Sequence, residues 1–118
     1  MFGRTKIAMV VAELLGAATI TTVMLAVSKS GVGFSFFIAS GVGLALGLLV
    51  LAMGGLTVGH YNPATTVGMW TVRKITTAEA VVSLAAQFLG ALGAWRLIEY
   101  LTQQTLKNID PIDWYSKQ

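Results

Sequence analysis

Apolar residues run along this chain in three long stretches, at residues 7–27, 34–55 and 77–101. The first is interrupted by Glu13 and a few threonines. The second carries no charge, and the third has Glu79 near its start with Arg96 and Glu99 near its end. Each offers the roughly 20 residues that an α-helix needs to cross the hydrocarbon core of a bilayer. The pattern predicts three transmembrane helices. Arg4 and Lys6 before the first stretch, and the small residues Ala26 and Ser28 at its end, also fit a secretory leader. The length of that stretch and the carboxylate inside it favour a span.

Within the stretches, small residues recur every four positions: Ala12 and Gly16; Ala39, Gly43 and Gly47; Ala86, Gly90 and Ala94. In lipid the hydrophobic effect does not drive helices together, so small side chains at this spacing let backbones approach and gain dispersion contacts. Helix packing is therefore expected through Gly43, Gly47 and Gly90.

Residues 56–74 break the pattern. Asn62 followed by Pro63 is a helix start, because Asn is a favoured N-cap and Pro at the first helical position forfeits no needed donor. The helix can reach only to Arg73 or Lys74, roughly 11 residues or ~16 Å, about half a membrane. Thr76 and Glu79 have capping-box spacing and begin the third span. An extramembrane loop with a surface helix is the alternative, and it fits poorly with Val67, Met69 and Trp70. The better reading is an irregular segment that enters the membrane and a half-helix that returns. Such backbone survives at membrane depth only when buried in protein or lining a wet cavity.

Composition narrows the function. With 55% hydrophobic and 11% charged residues among 118, and a mean hydropathy of +0.73, the chain has too few charges to coat a soluble globule. The net charge of +3 is small and its basic residues are scattered, which argues against a nucleic-acid partner. There is no cysteine, one histidine and five carboxylates, so neither an enzyme, a metal site nor a cofactor is expected. The predicted class is an all-α integral membrane protein, multi-pass, with membrane lipids as its surroundings.

The segment GHYNPATTVG at residues 59–68 resembles the "AHxNPAVTxG" box of the aquaporin and aquaglyceroporin family, the major intrinsic proteins. AELLG at residues 12–16 resembles that family's first-helix "AEFxGT". GVGLALG at 41–47 resembles its glycine-rich second helix, and AQFLGA at 86–91 its third-helix "AQxxGA". The four matches come in the right order and cover about residues 7–105. They correspond to the first half of an internally duplicated fold, with a half-repeat at residues 1–106 and a polar interfacial tail at 107–118. The resemblance implies that Asn62 stands at the bilayer midplane with its amide toward a pore. Pro63 and Ala64 would form the apex contact between two half-helices. The carbonyls of Val58, Gly59, His60 and Tyr61 would line a vestibule, with His60 also anchoring the loop. Glu13 would reach from the first helix to donors of the re-entrant loop, and Gln87 would do likewise from the third; for Glu13 this accounts for a carboxylate inside a span.

Departures from the family pattern shape the expected selectivity. Thr65 stands after Ala64, so the Arg that follows the family's second motif has no counterpart, and Val42 stands where the second helix would supply an aromatic. A filter lacking both is wider and less polar, so passage of small neutral solutes such as glycerol alongside water is expected. The family's halves are inverted relative to each other. Arg4, Lys6, Arg73 and Lys74 fall on one side of the predicted topology and Lys29, Arg96, Lys107 and Lys117 on the other, accounting for all eight basic residues. That balance leaves the positive-inside rule little to act on. The expectation is insertion into a cell membrane in both orientations, an antiparallel homodimer forming each pore, and an octamer as a tetramer of such dimers. The competing expectation is a noncatalytic subunit that pairs with a separate Arg-bearing half or regulates a full-length channel. An unrelated small membrane protein such as a holin would have no need of the Asn-Pro-Ala half-helix.

Overall fold

The computed structural model describes residues 4–29, 35–57 and 59–102. Helix α1 spans Arg4–Lys29, α2 Ser35–Met53, α3 Pro63–Thr71 and α4 Thr77–Thr102. Three of them, over Thr5–Lys29, Ser35–Met53 and Thr77–Leu101, are long and apolar enough to cross a membrane. The all-helical architecture, three spans with a short helix between the second and third, is the one the sequence pattern predicts.

Hydroxyls inside α1 satisfy themselves on the helix. Thr19 Oγ1 donates to the Leu15 carbonyl at 2.8 Å, Thr22 Oγ1 to Ala18 at 2.8 Å and Ser28 Oγ to Met24 at 2.7 Å. This back-bonding removes the cost of placing a hydroxyl among acyl chains. α1 extends beyond its apolar run at both ends, through Arg4, Thr5 and Lys6 at the start and Ser28 and Lys29 at the end.

The exposure pattern is inverted relative to a water-soluble protein. Buried side chains are small or polar: Ala12, Ala17, Ala80, Ala86 and Ala94 with Tyr61, together with Glu13, His60, Thr66, Ser83 and Gln87. Large apolar side chains such as Phe36, Leu44, Leu51 and Leu101 point outward. α1 packs most extensively against α4, less so against α2, and α3 rests on α4. The close approach of α1 and α4 depends on Gly90, where a Cβ would overlap the Leu14 carbonyl oxygen and come within 3.0 Å of its carbon. Gly43 and Gly47 differ: a Cβ at either meets nothing within 4 Å, and α2 contributes no buried residue. Of the small-residue surfaces, those of α1 and α4 pack within the chain and that of α2 faces outward.

α2 ends at Met53, whose carbonyl accepts from the N–H groups of Leu56 and Thr57 at 2.9 and 3.2 Å. α3 then has nine residues, a rise of ~13 Å that cannot span a ~30 Å core. It stops short of Arg73 because Arg73 adopts φ +58. The Arg73 N–H bonds to Trp70 O and the Lys74 N–H to Met69 O, both at 2.9 Å, closing the helix with a left-handed cap. α4 opens with a reciprocal capping box: Thr76 N–H donates to Glu79 Oε2 at 3.0 Å and Glu79 N–H to Thr76 Oγ1 at 3.2 Å. The chain therefore turns back sharply between the short helix and the third span.

Candidate functional site: the re-entrant loop

The loop before α3 is built around one carboxylate. Glu13, fully buried on α1, accepts four hydrogen bonds on its two oxygens. Oε1 takes the Thr57 hydroxyl and the His60 N–H, the latter at 3.2 Å. Oε2 takes the Tyr61 N–H and Gln87 Nε2, each at 2.8 Å. A buried charge without partners costs several kcal/mol or more. Here its lone pairs are met by a hydroxyl, two backbone amides and a side-chain amide, drawn from the loop and from α4. Two of the four bonds satisfy backbone donors, the N–H groups of His60 and Tyr61, that an irregular segment cannot pair with itself.

Gln87 extends the network. Its Nε2 also donates to Thr66 Oγ1 at 2.8 Å. Thr66 Oγ1 in turn lies 3.2 Å from His60 Nδ1 and 3.3 Å from the Asn62 carbonyl. With His60 protonated on Nδ1, Thr66 accepts from both Gln87 and His60 and donates to Asn62, using its one proton and both lone pairs. His60 Nε2 and Gln87 Oε1 are buried without a protein partner among the described residues. His60 is held from both sides, by its backbone on Glu13 and by its ring on Thr66.

Backbone conformation completes the loop. Gly59 has φ +71 and Tyr61 φ +47, two left-handed residues within three, and the first is where glycine carries no penalty. The Gly59 N–H bonds to Thr57 Oγ1 at 3.1 Å. Tyr61 tolerates the strained conformation because its surroundings determine it: its N–H is on Glu13, and its buried ring lies over Gly16, where a Cβ would come within 2.7 Å of Cγ and Cε1. The Tyr61 hydroxyl points to the Leu49 carbonyl at 3.5 Å.

Asn62 follows in extended conformation, φ −146 and ψ 128, as the N-cap of α3, with Oδ1 accepting from the Ala64 N–H at 2.9 Å. Its carbonyl accepts from the Thr66 N–H at 3.1 Å. The side chain is exposed, and its Nδ2 makes no hydrogen bond among the described residues. Pro63 is half-buried, while Ala64, Thr65, Val67 and Gly68 are exposed and Thr66 alone is buried. One flank of α3 is therefore against the chain and the rest of its circumference is uncovered.

The structure thus brings Glu13, Gly59, His60, Tyr61, Asn62 and Gln87 together. Val58 lies outside the described residues, as does the 107–118 tail. Val42 sits half-buried on α2. Thr57 and Thr66 are the network members that sequence reasoning missed. Their signal was the donor count, since a carboxylate inside a span calls for about four donors and the nearby hydroxyls are the natural supply. Among the described residues, no group of His, Asp and Glu side chains is placed to hold a metal ion.

The family model described as "Major intrinsic protein" matches residues 4–114. This chain belongs to the major intrinsic protein family. Among curated proteins it is similar to "Glycerol uptake facilitator protein-like 6" of Lactiplantibacillus plantarum, 36% identical over 80 residues, covering 68% of this chain and 33% of that protein. It is 33% identical over 90 residues to "Aquaporin Z" of Photorhabdus laumondii, covering 69% of this chain and 38% of that protein. The match to human "Aquaporin-4" is 46% identical over 50 residues, 42% of this chain and 16% of that protein. The aligned segment is thus well under half the length of each relative. No solved structure gives a significant match. Family membership and the three apolar spans make this an integral, multi-pass membrane protein.

Proposed function

We propose that this chain supplies one half of a passive transmembrane path for water and small neutral solutes. The observation that carries the reading is Asn62: an exposed amide with an unengaged Nδ2, at the N-terminus of a short membrane helix, on a backbone fixed from behind by Glu13, Gln87 and Thr66. The N-terminus of α3 carries partial positive charge. An amide donor beside it can orient a water or hydroxyl oxygen while disfavouring cations. The relatives' names, an aquaporin and a glycerol facilitator, agree with that class of permeant.

A closed path needs a second half-helix facing the first, and the uncovered circumference of α3 leaves room for one. In our reading the second half is an inverted copy of the same chain. The even division of basic residues supports insertion both ways, and the small-residue face of α2, unused within the chain, offers a surface for close helix contact. With identical halves the in-plane two-fold is a true symmetry. Combined with a four-fold arrangement of pores it gives a closed dihedral assembly of eight chains in a cell membrane. With Val42 and Thr65 at the narrow positions, the mouth admits glycerol-sized molecules. A second reading, pairing with a separate inverted half, draws on Thr65, because a partner could then provide the cationic filter residue.

Reconstitution of the purified chain alone into liposomes, followed by stopped-flow light scattering under water, glycerol and urea gradients, tests the proposal. Faster water and glycerol equilibration than in empty liposomes is expected. Permeability equal to that of empty liposomes would favour the separate partner.

A further inference from the structure

A cleft of about 570 Å³ opens between the end of α3 and the start of α4, lined by Trp70, Thr71, Arg73, Ile75, Thr76 and Thr77. We propose that it binds the phosphate of an anionic phospholipid headgroup, with Arg73 as the principal cationic contact, Lys74 beside it and Trp70 as the aromatic wall.

Depth is the first argument. The span Thr77–Leu101 has 25 residues, ~37 Å of helix against a ~30 Å hydrocarbon core. Its first turn therefore lies at the boundary where lipid phosphates and glycerol esters reside. This placement rests on span length and is independent of any pore.

Charge is the second. Arg73 and Lys74 are exposed and form no ion pair among the described residues. The left-handed cap fixes the backbone beneath both of them, through Arg73 N–H to Trp70 O and Lys74 N–H to Met69 O. The carboxylate at this end, Glu79, has Oε2 occupied by the Thr76 N–H and hydroxyl, each at 3.0 Å, and it interacts electrostatically with Lys6 of α1. Arg73 in the cleft wall and Lys74 next to it in sequence thus carry charge that no described carboxylate pairs with, which favours an anion over a zwitterion.

The walls are preset as well. Trp70 Nε1 donates to Thr77 Oγ1 at 3.1 Å, tying the two helix ends together, and its indole is partly exposed, as suits a ring at the interface. Ile75 supplies an apolar surface for the glycerol backbone while Arg73 offers a fork of donors to the phosphate.

The test uses the full chain with Trp95→Phe and Trp114→Phe, so that Trp70 alone emits, in vesicles containing brominated phosphatidylglycerol or brominated phosphatidylcholine with the same acyl chains. Stronger quenching by the phosphatidylglycerol at equal mole fraction is expected, with an enrichment of about fivefold per cation engaged. Arg73→Gln with Lys74→Gln should abolish the preference, and Lys29→Gln with Arg96→Gln, elsewhere on the chain, should retain it. Equal quenching by the two lipids, or a preference that survives the Arg73/Lys74 change, overturns the proposal. Should the double variant fail to fold, retention of phosphatidylglycerol during delipidation is compared between the unmodified chain and Arg73→Gln alone, and equal retention counts against the site.

Discussion

Gly16 on α1 and Tyr61 in the re-entrant loop occupy one space: the Tyr61 ring fills the position a side chain at residue 16 would need. Tyr61 is also left-handed, with its N–H held by Glu13, so the ring and the backbone that leads into Asn62 move together. Gly16→Val should displace the ring and cost about 1–3 kcal/mol through overpacking. Tyr61→Leu should recover part of that loss in the Gly16→Val background while destabilising the unmodified chain. Thermal unfolding of the four proteins in one detergent gives the coupling energy, expected above about 0.5 kcal/mol for residues in contact. Additive effects would mean that the ring has other places to go.

The carboxylate network makes an ordered prediction. Gln87→Leu removes a donor from Glu13 Oε2 and from Thr66, leaving Oε2 with the Tyr61 N–H, and should cost about 1–3 kcal/mol. Gln87→Glu should be worse, because it sets a second carboxylate where the amide now lies 2.8 Å from the first. Glu13→Gln should also destabilise strongly, since half of its amide turns donors toward donors. Unfolding midpoints at neutral pH should fall in the order unmodified, Gln87→Leu, Gln87→Glu. Reversal of the last two would show that the network takes up a proton rather than repelling charge.

How far the sequence reveals these features depends on whether a residue's type or its surroundings decide its role. The three spans are legible because long, predominantly apolar runs have few other destinies. The start of α3 is legible because Asn-Pro combines a capping oxygen with a missing donor. The end of α3 is not, for Arg73 takes a left-handed conformation that glycine usually marks, and no side-chain signal distinguishes it. Glu13 announces itself as a charge needing partners inside an apolar run. Thr66 does not, since a threonine in a helix ordinarily bonds its own backbone, and only the tertiary placement of Gln87 and His60 turns its hydroxyl into a junction. The contrast between Gly90, packed on Leu14, and Gly43, facing outward, is equally invisible in a four-residue spacing common to both.

Asn62 carries the proposed permeation centre. Asn62→Asp keeps the N-capping oxygen that accepts from Ala64, so assembly and unfolding temperature should change little. It replaces the amide donor with negative charge beside the half-helix N-terminus, which should weaken cation rejection. Proteoliposomes loaded with a sodium-sensitive dye should show faster sodium entry with the variant. Identical leak and identical water flux in both proteins would remove Asn62 from the pathway.

Selectivity is proposed to depend on Val42. Val42→Phe adds bulk at a half-buried site on α2, and in a pore made of two copies it narrows both mouths at once. Glycerol flux should fall several-fold more than water flux in the same proteoliposomes. Equal reductions would put the constriction elsewhere.

The antiparallel arrangement makes the most exposed prediction. If Arg4, Lys6, Arg73 and Lys74 balance Lys29, Arg96, Lys107 and Lys117, orientation is decided by a margin that a few charges can shift. The chain has no cysteine, so Ser30→Cys and Ser116→Cys, introduced one at a time, report topology without background, although both positions lie outside the described residues. An impermeant thiol reagent applied to intact cells should label each site in part, with the remainder labelled only after permeabilisation. Adding two lysines beside Lys29 should drive that side to the cytoplasm, give uniform labelling and abolish solute flux. Co-expression with a second variant carrying extra lysines next to Arg4 should restore flux, because the pair again supplies both orientations. Complete labelling of the unmodified chain from one side would instead mean that every copy points the same way, and the second half of the pore would then have to come from a different polypeptide.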